Sequence, residues 1–234
     1  MRVGRGGHAA IRMAGGGILV TAGASATGPL ASTEVFDPRR GRFRPGPVLT
    51  RARVGHTATR LIDGRILVVG GYGADGRAVG PAELLEPRRG RWETVTGPER
   101  PRGKHAAIRL RDGRVLVVGG STDEESRERL ASTEVFDPRT ATFSPGPRLR
   151  SARYKLPGAV ALLTDGRVIV AGDGASVELV DVGRRRVTIA RGRLDAARAF
   201  ATLTPLPGGL LLLAGGYDDR IRVSATSHLV HQRA

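Results

Sequence analysis

Apolar residues in this chain come in runs of three or four, and each run is followed by small residues or glycines. Ile66-Leu67-Val68-Val69 precedes Gly70-Gly71, and Val115-Leu116-Val117-Val118 precedes Gly119-Gly120. Weaker versions start at Ile18, Val168 and Leu211. Such runs are too short for an amphipathic helix and far below the roughly 20 residues of a membrane-spanning one. An uncharged run of four bounded by turn residues predicts a strand covered on both faces. Asp-Gly-Arg at 63–65, 112–114 and 165–167 stands before three of the runs. Asp-Gly between apolar segments is a strong hairpin signal, so each run pairs with the segment before it.

The pattern repeats along the whole chain. RVGHTATRLIDGRILVVGGY at 53–72 recurs as RGKHAAIRLRDGRVLVVGGS at 102–121 and, eroded, as RGGHAAIRMAGGGILVTAGA at 5–24. Degenerate copies occupy 156–174 and 198–217. A second block, ASTEVFDPRRGRF at 31–43, returns almost unchanged at 131–143, with relatives at 82–92 and 177–187. The apolar runs follow one another at intervals of 48, 49, 53 and 43 residues. Within the second block the offsets are constant: Glu34–Asp37–Phe43, Glu83–Glu86–Trp92, Glu134–Asp137–Phe143 and Glu178–Asp181–Val187. A period near 50 signals a repeat architecture.

A Gly-Gly pair closing an apolar strand, with an aromatic later in a period of about 50, resembles the Kelch family over essentially the whole chain. Repeat four departs from it, with Ala171-Gly172-Asp173 at the glycine pair and Val187 for the aromatic. The resemblance implies an all-β, Kelch-type β-propeller of five four-stranded blades, one domain over 1–234. The blades are expected at about 5–48, 49–97, 98–149, 150–192 and 193–234. Strands a to d run outward from the channel, and the aromatics at the start of strand d fill the space between blades. The last blade is expected to be incomplete, its strand c being ATSHLVHQRA with His228 at the glutamate position. That suggests a piece of a six- or seven-bladed propeller, or an edge covered by another molecule, with residues 226–234 poorly ordered or paired with a neighbouring copy.

In a blade of this topology the a–b and c–d turns share one face, and the b–c and d–a loops share the other. The first face holds repeated Asp-Gly-Arg and Asp-Pro turns, whereas the loops at 24–33, 72–82, 121–133, a minimal 174–177 and 217–227 all differ. Variable loops on a rigid scaffold are where binding concentrates. Five arginines precede strand a: Arg5, Arg53, Arg102, Arg153 and Arg198. They are expected to ring the channel mouth on the variable face as ligand-binding residues, with a latch between blades as the alternative. Arginine offers a planar fork suited to carboxylates and phosphates. Tyr72 and Tyr217 follow Gly-Gly pairs and are expected at the same mouth.

Charge sharpens the partner. Lys+Arg number 38 against 22 Asp+Glu, a formal net charge of +16, and only Lys104 and Lys155 are lysine. An acidic protein or peptide is the expected partner. Nucleic acid is disfavoured, because aromatics for base stacking make up 4% of the chain. Arginine pairs in the c–d turns, such as Arg39-Arg40 and Arg88-Arg89, read as a solvated charged face.

His8, His56 and His105 share one repeat position, but Gly158 and Phe200 interrupt the series. Bonding within their own blades explains them better than a metal. Cysteine is absent, no nucleophile elbow or phosphate loop occurs, and no cofactor or metal is implied. The copper oxidases of Kelch fold use a cysteine-linked tyrosine, which this chain cannot form. A non-enzymatic binding scaffold is therefore the expected function. The alternatives are a carbohydrate-active enzyme of isomerase or oxidase type and a basic propeller that binds polyanions. With no signal peptide or membrane-spanning segment, the chain reads as cytoplasmic as it stands, and extracellular if it belongs to a longer secreted protein.

Overall fold

A computed structural model of the chain describes residues 1–190, 194, 196–218 and 220–231. It is all-β apart from one short 3₁₀ turn at Pro207–Gly209. The first blade pairs strands a to d at Ala9–Arg12, Ile18–Thr21, Thr33–Asp37 and Arg42–Pro45. The second uses Thr57–Arg60, Ile66–Val69, Ala82–Glu86 and Arg91–Val95, and the third Ala106–Arg109, Val115–Val118, Thr133–Asp137 and Thr142–Pro145. Val160–Leu162, Val168–Val170, Glu178–Asp181 and Arg186–Ile189 form the fourth. The fifth has three strands among the described residues, Thr202–Leu206, Leu210–Ala214 and Ser227–His231. Every pairing is antiparallel.

Strand alternation builds the core. Along strand b of the second blade, Ile66 and Val68 face the first blade while Leu67 and Val69 face the third. All four are buried, which is why the run carries no polar residue. Four apolar clusters result, one at each junction from the first blade to the fifth. At ~1.5–3 kcal/mol per buried aliphatic side chain, these junctions dominate the stability of the array. The aromatics of strands c and d join them: Phe136 is fully buried 5.0 Å from Phe143, and Trp92 donates to the Pro47 carbonyl of the preceding linker at 3.0 Å.

The outer sides of the end blades are different. Phe36, the counterpart of Phe136, is only half-buried, and Leu229 on the last strand is 60% exposed. Residues 227–231 form a strand paired antiparallel with 210–214. Residues 232–234 and the expected boundary at 192/193 lie outside the described residues.

Candidate functional site at the channel mouth

The five arginines are not surface groups. Arg53, Arg102, Arg153 and Arg198 are fully buried and Arg5 nearly so. Arg53 donates to the Gly70 carbonyl at 3.0 Å and to Glu83 at 2.6 Å. Arg102 meets Gly119 and Glu134 at 2.9 and 2.5 Å, Arg153 meets Gly172 and Glu178 at 2.7 and 2.9 Å, and Arg5 meets Ala22 and Glu34 at 2.8 and 3.0 Å. In the fifth blade His228 stands in for the glutamate and accepts from Arg198 at 3.0 Å.

Each glutamate also accepts main-chain N–H groups of the incoming linker, as Glu83 does from Thr50 at 2.7 Å and Glu134 from Glu99 at 2.7 Å. Burial pushes the Glu34 carboxyl up, but the N–H groups of Arg2 and Val3 and the Arg5 guanidinium outweigh it and hold the pKa low. The guanidinium therefore closes its own blade. Its backbone carbonyl reaches the previous one, as in Gly71 N–H to Arg102 O at 2.9 Å and Gly120 N–H to Arg153 O at 2.7 Å. This corrects the expectation that these side chains line the mouth: a charge pair this deep is spent on the fold and cannot meet a ligand.

Tyr72 is likewise inside the wall, fully buried, with its hydroxyl 2.5 Å from Ser121 of the third blade. Burial raises its pKa to about 12. Tyr217 is half-buried at the mouth. Two of the three histidines bond across blades rather than within them: His56 Nε2 lies 2.8 Å from Thr21 and His105 Nε2 2.8 Å from Thr57. Burial pushes both imidazoles down to about 3, so they are neutral. His8 is exposed, with Nδ1 3.2 Å from the Arg5 carbonyl.

What does occupy the mouth is the position two residues after each arginine: Gly7, Gly55, Lys104, Lys155 and Phe200. All five have positive φ, at 60°, 68°, 50°, 53° and 54°. The turn is forced by a chain of main-chain bonds that joins successive blades, including Gly55 N–H to Gly7 O at 3.0 Å, Lys104 N–H to Gly55 O at 2.9 Å and Phe200 N–H to Lys155 O at 2.9 Å. Glycine takes that conformation freely; any L-residue with a side chain pays ~1–2 kcal/mol. The only two lysines of the chain sit on this strained position in adjacent blades.

Aromatic rings line their surroundings. Lys104 Nζ is 5.3 Å from the Tyr72 centroid and donates to the Glu124 carbonyl at 3.2 Å. Lys155 Nζ lies 4.8 Å from the Tyr154 ring and 5.1 Å from that of Tyr217. Burial pulls the Lys155 pKa down, but the Tyr154 and Tyr217 hydroxyls outweigh it and leave it raised. Arg129 stacks on the other side of this group, 4.2 Å from the Tyr154 centroid and 3.7 Å from Asp173. Asp173 replaces a repeat glycine at φ 52° and accepts the Tyr154 N–H at 2.8 Å. Below the ring is a channel cavity of about 550 Å³, reached by His8, Thr57, Ala107, Val160 and Phe200.

A Kelch motif matches residues 102–150, the third repeat with its Arg102 and Glu134. The protein reported as "Structure of YjhT" superposes over 97% of this chain and 81% of its own, with a TM-score of 0.75 at 14% identity. At that identity the likeness is one of fold. Repeat, blades and superposition together define the chain as a β-propeller of Kelch type. No curated protein matches its sequence.

Proposed function

We propose that this propeller is a non-enzymatic binding module that takes an acidic segment of a protein or peptide at the channel mouth, on the face of the b–c and d–a loops. The observation that carries this reading is the placement of Lys104 and Lys155 on a strained, repeat-equivalent position where two neighbouring blades have glycine. Strain of this kind persists only where the surrounding structure enforces it, and it clusters at functional sites. The raised pKa of Lys155 keeps its amine protonated, which suits charge-assisted bonding to a carboxylate and opposes service as a nucleophile or base. The aromatic rings beside both ammonium groups limit their motion, so less freedom is lost when a carboxylate arrives. The rim is stiff as well, since the b–c loops of the second and third blades are bonded to each other through Ala78 N–H to Thr122 O and Glu124 N–H to Gly76 O, each at 2.9 Å.

The test is a titration of a labelled Glu/Asp-rich peptide against the protein and its Lys104→Gln/Lys155→Gln variant, which keeps bulk and removes charge. Each lost charge-assisted bond is worth ~1.5–3 kcal/mol, so affinity should fall by at least about tenfold. Equal affinity of the two proteins would remove the mouth from the account.

A further inference from the structure

The opposite face carries most of the molecule's charge. Its a–b and c–d turns, at 12–17, 60–65, 109–114, 162–167, 37–42, 86–91, 137–142 and 181–186, hold seventeen arginines and seven carboxylates, a net +10 of the chain's +16. The carboxylates are tied down inside their own turns. Asp63, Asp112 and Asp165 each pair with the arginine two residues on, at 2.7 Å. Asp37 and Asp181 accept turn N–H groups at 2.9 and 2.8 Å. Exposed guanidinium groups are what remains. They lie at two radii: Arg12 and Arg109, with the half-buried Arg60, end strand a beside the channel, and the c–d arginines stand at the rim.

Other features of this face narrow the partner. A protein interface needs an apolar centre, yet Ile62 is the one large hydrophobic side chain strongly exposed in these turns among the described residues. Single strands are held by aromatic stacking, and these turns contain no Phe, Tyr or Trp. A duplex needs neither. Its affinity comes from phosphates met by arginines spread over a surface, without sequence preference. The scarcity of aromatics therefore argues against single strands and leaves double-stranded backbone untouched. We propose that the a–b/c–d face docks the phosphate backbone of duplex nucleic acid, independently of the acidic-ligand site on the other face.

Fluorescence anisotropy with a labelled 20-base-pair DNA of arbitrary sequence tests this on the whole chain. Binding is expected at 50 mM salt; with about five phosphate contacts it should weaken several-hundredfold by 200 mM. The variant Arg39→Gln/Arg40→Gln/Arg88→Gln/Arg89→Gln, all exposed positions, should keep its melting temperature. Its affinity at 50 mM should drop at least about tenfold, and its salt slope should become shallower by about 0.9 for each phosphate left without an arginine. Lys104→Gln/Lys155→Gln should bind the duplex as the native chain does, which separates this site from the channel mouth. No binding at 50 mM, an unchanged slope in the arginine variant, or equal binding of single-stranded DNA or phosphatidylserine vesicles would overturn the assignment.

Discussion

The two halves of the channel mouth follow the same backbone path with different residues. In the first two blades the turn into strand a is made by Gly7 and Gly55, at φ 60° and 68°. In the next two it is made by Lys104 and Lys155, at φ 50° and 53°. The frame around them is common: a buried arginine two residues earlier, a glutamate on strand c, and a main-chain bond to the neighbouring blade. The backbone conformation favours glycine here, although the fifth blade has Phe200 at φ 54°. The lysine half thus departs from what the backbone prefers, and it does so where two ammonium groups gain a ring of tyrosines. The difference separates what every blade needs from what one side of the mouth adds.

The frame can be broken first, and the effect should be largest. Arg53→Ala in the glycine half and Arg102→Ala in the lysine half each leave a buried glutamate unpaired, and should each cost ~3–5 kcal/mol by denaturant unfolding. A loss confined to one half would mean the frames are not equivalent.

Acid should act on the histidines that bridge the blades. His56 and His105 have folded pKa values of about 3, below the 6.5 of a free imidazole. The unfolded chain therefore takes up protons first. Their stabilisation is complete above pH 6.5 and is lost as pH falls from 6.5 towards 3. Two histidines lose about 1.4 kcal/mol each per unit, about 4 kcal/mol together at pH 5. Unfolding midpoints flat from pH 7 to pH 5 would contradict these burials.

Moving a lysine into the glycine half sharpens the comparison. At Gly55 a Cβ meets nothing closer than Lys104 Cγ at 3.6 Å, so Gly55→Lys bears the backbone cost of ~1–2 kcal/mol and the repulsion of a neighbouring ammonium, but no clash. At Gly7 a Cβ would lie 2.7 Å from a Val54 methyl, so Gly7→Lys should lose more. Thermal melts of the pair give the order.

Much of the fold was legible because the repeat states it nearly verbatim, down to the Asp-Gly-Arg turns and the strand-d aromatics Trp92 and Phe143. The arginines were legible as a repeat position and misread in role. Four of the five repeats also have a glutamate on strand c, with His228 in its place in the fifth, so a partner was visible in the same repeats. Cross-blade contacts such as His105 with Thr57 link residues 48 apart and leave no local trace. The lysines escaped because positive φ is announced by glycine, and here it is carried by Lys, Lys and Phe. Aligning Lys104 and Lys155 with Gly7 and Gly55 is the signal that exposes them.

The central claim is that these two lysines are held in strain for a ligand. Lys104→Gly/Lys155→Gly, measured for melting temperature and acidic-peptide affinity on one preparation, tests it most directly. Relief of strain, partly offset by the greater freedom of glycine in the unfolded chain, should leave stability equal or up to about 1 kcal/mol higher, raising the melting temperature by about 2–4 °C at most. Affinity should fall at least about tenfold in the same sample. A lower melting temperature with unchanged affinity would show that the lysines serve the fold and not a ligand.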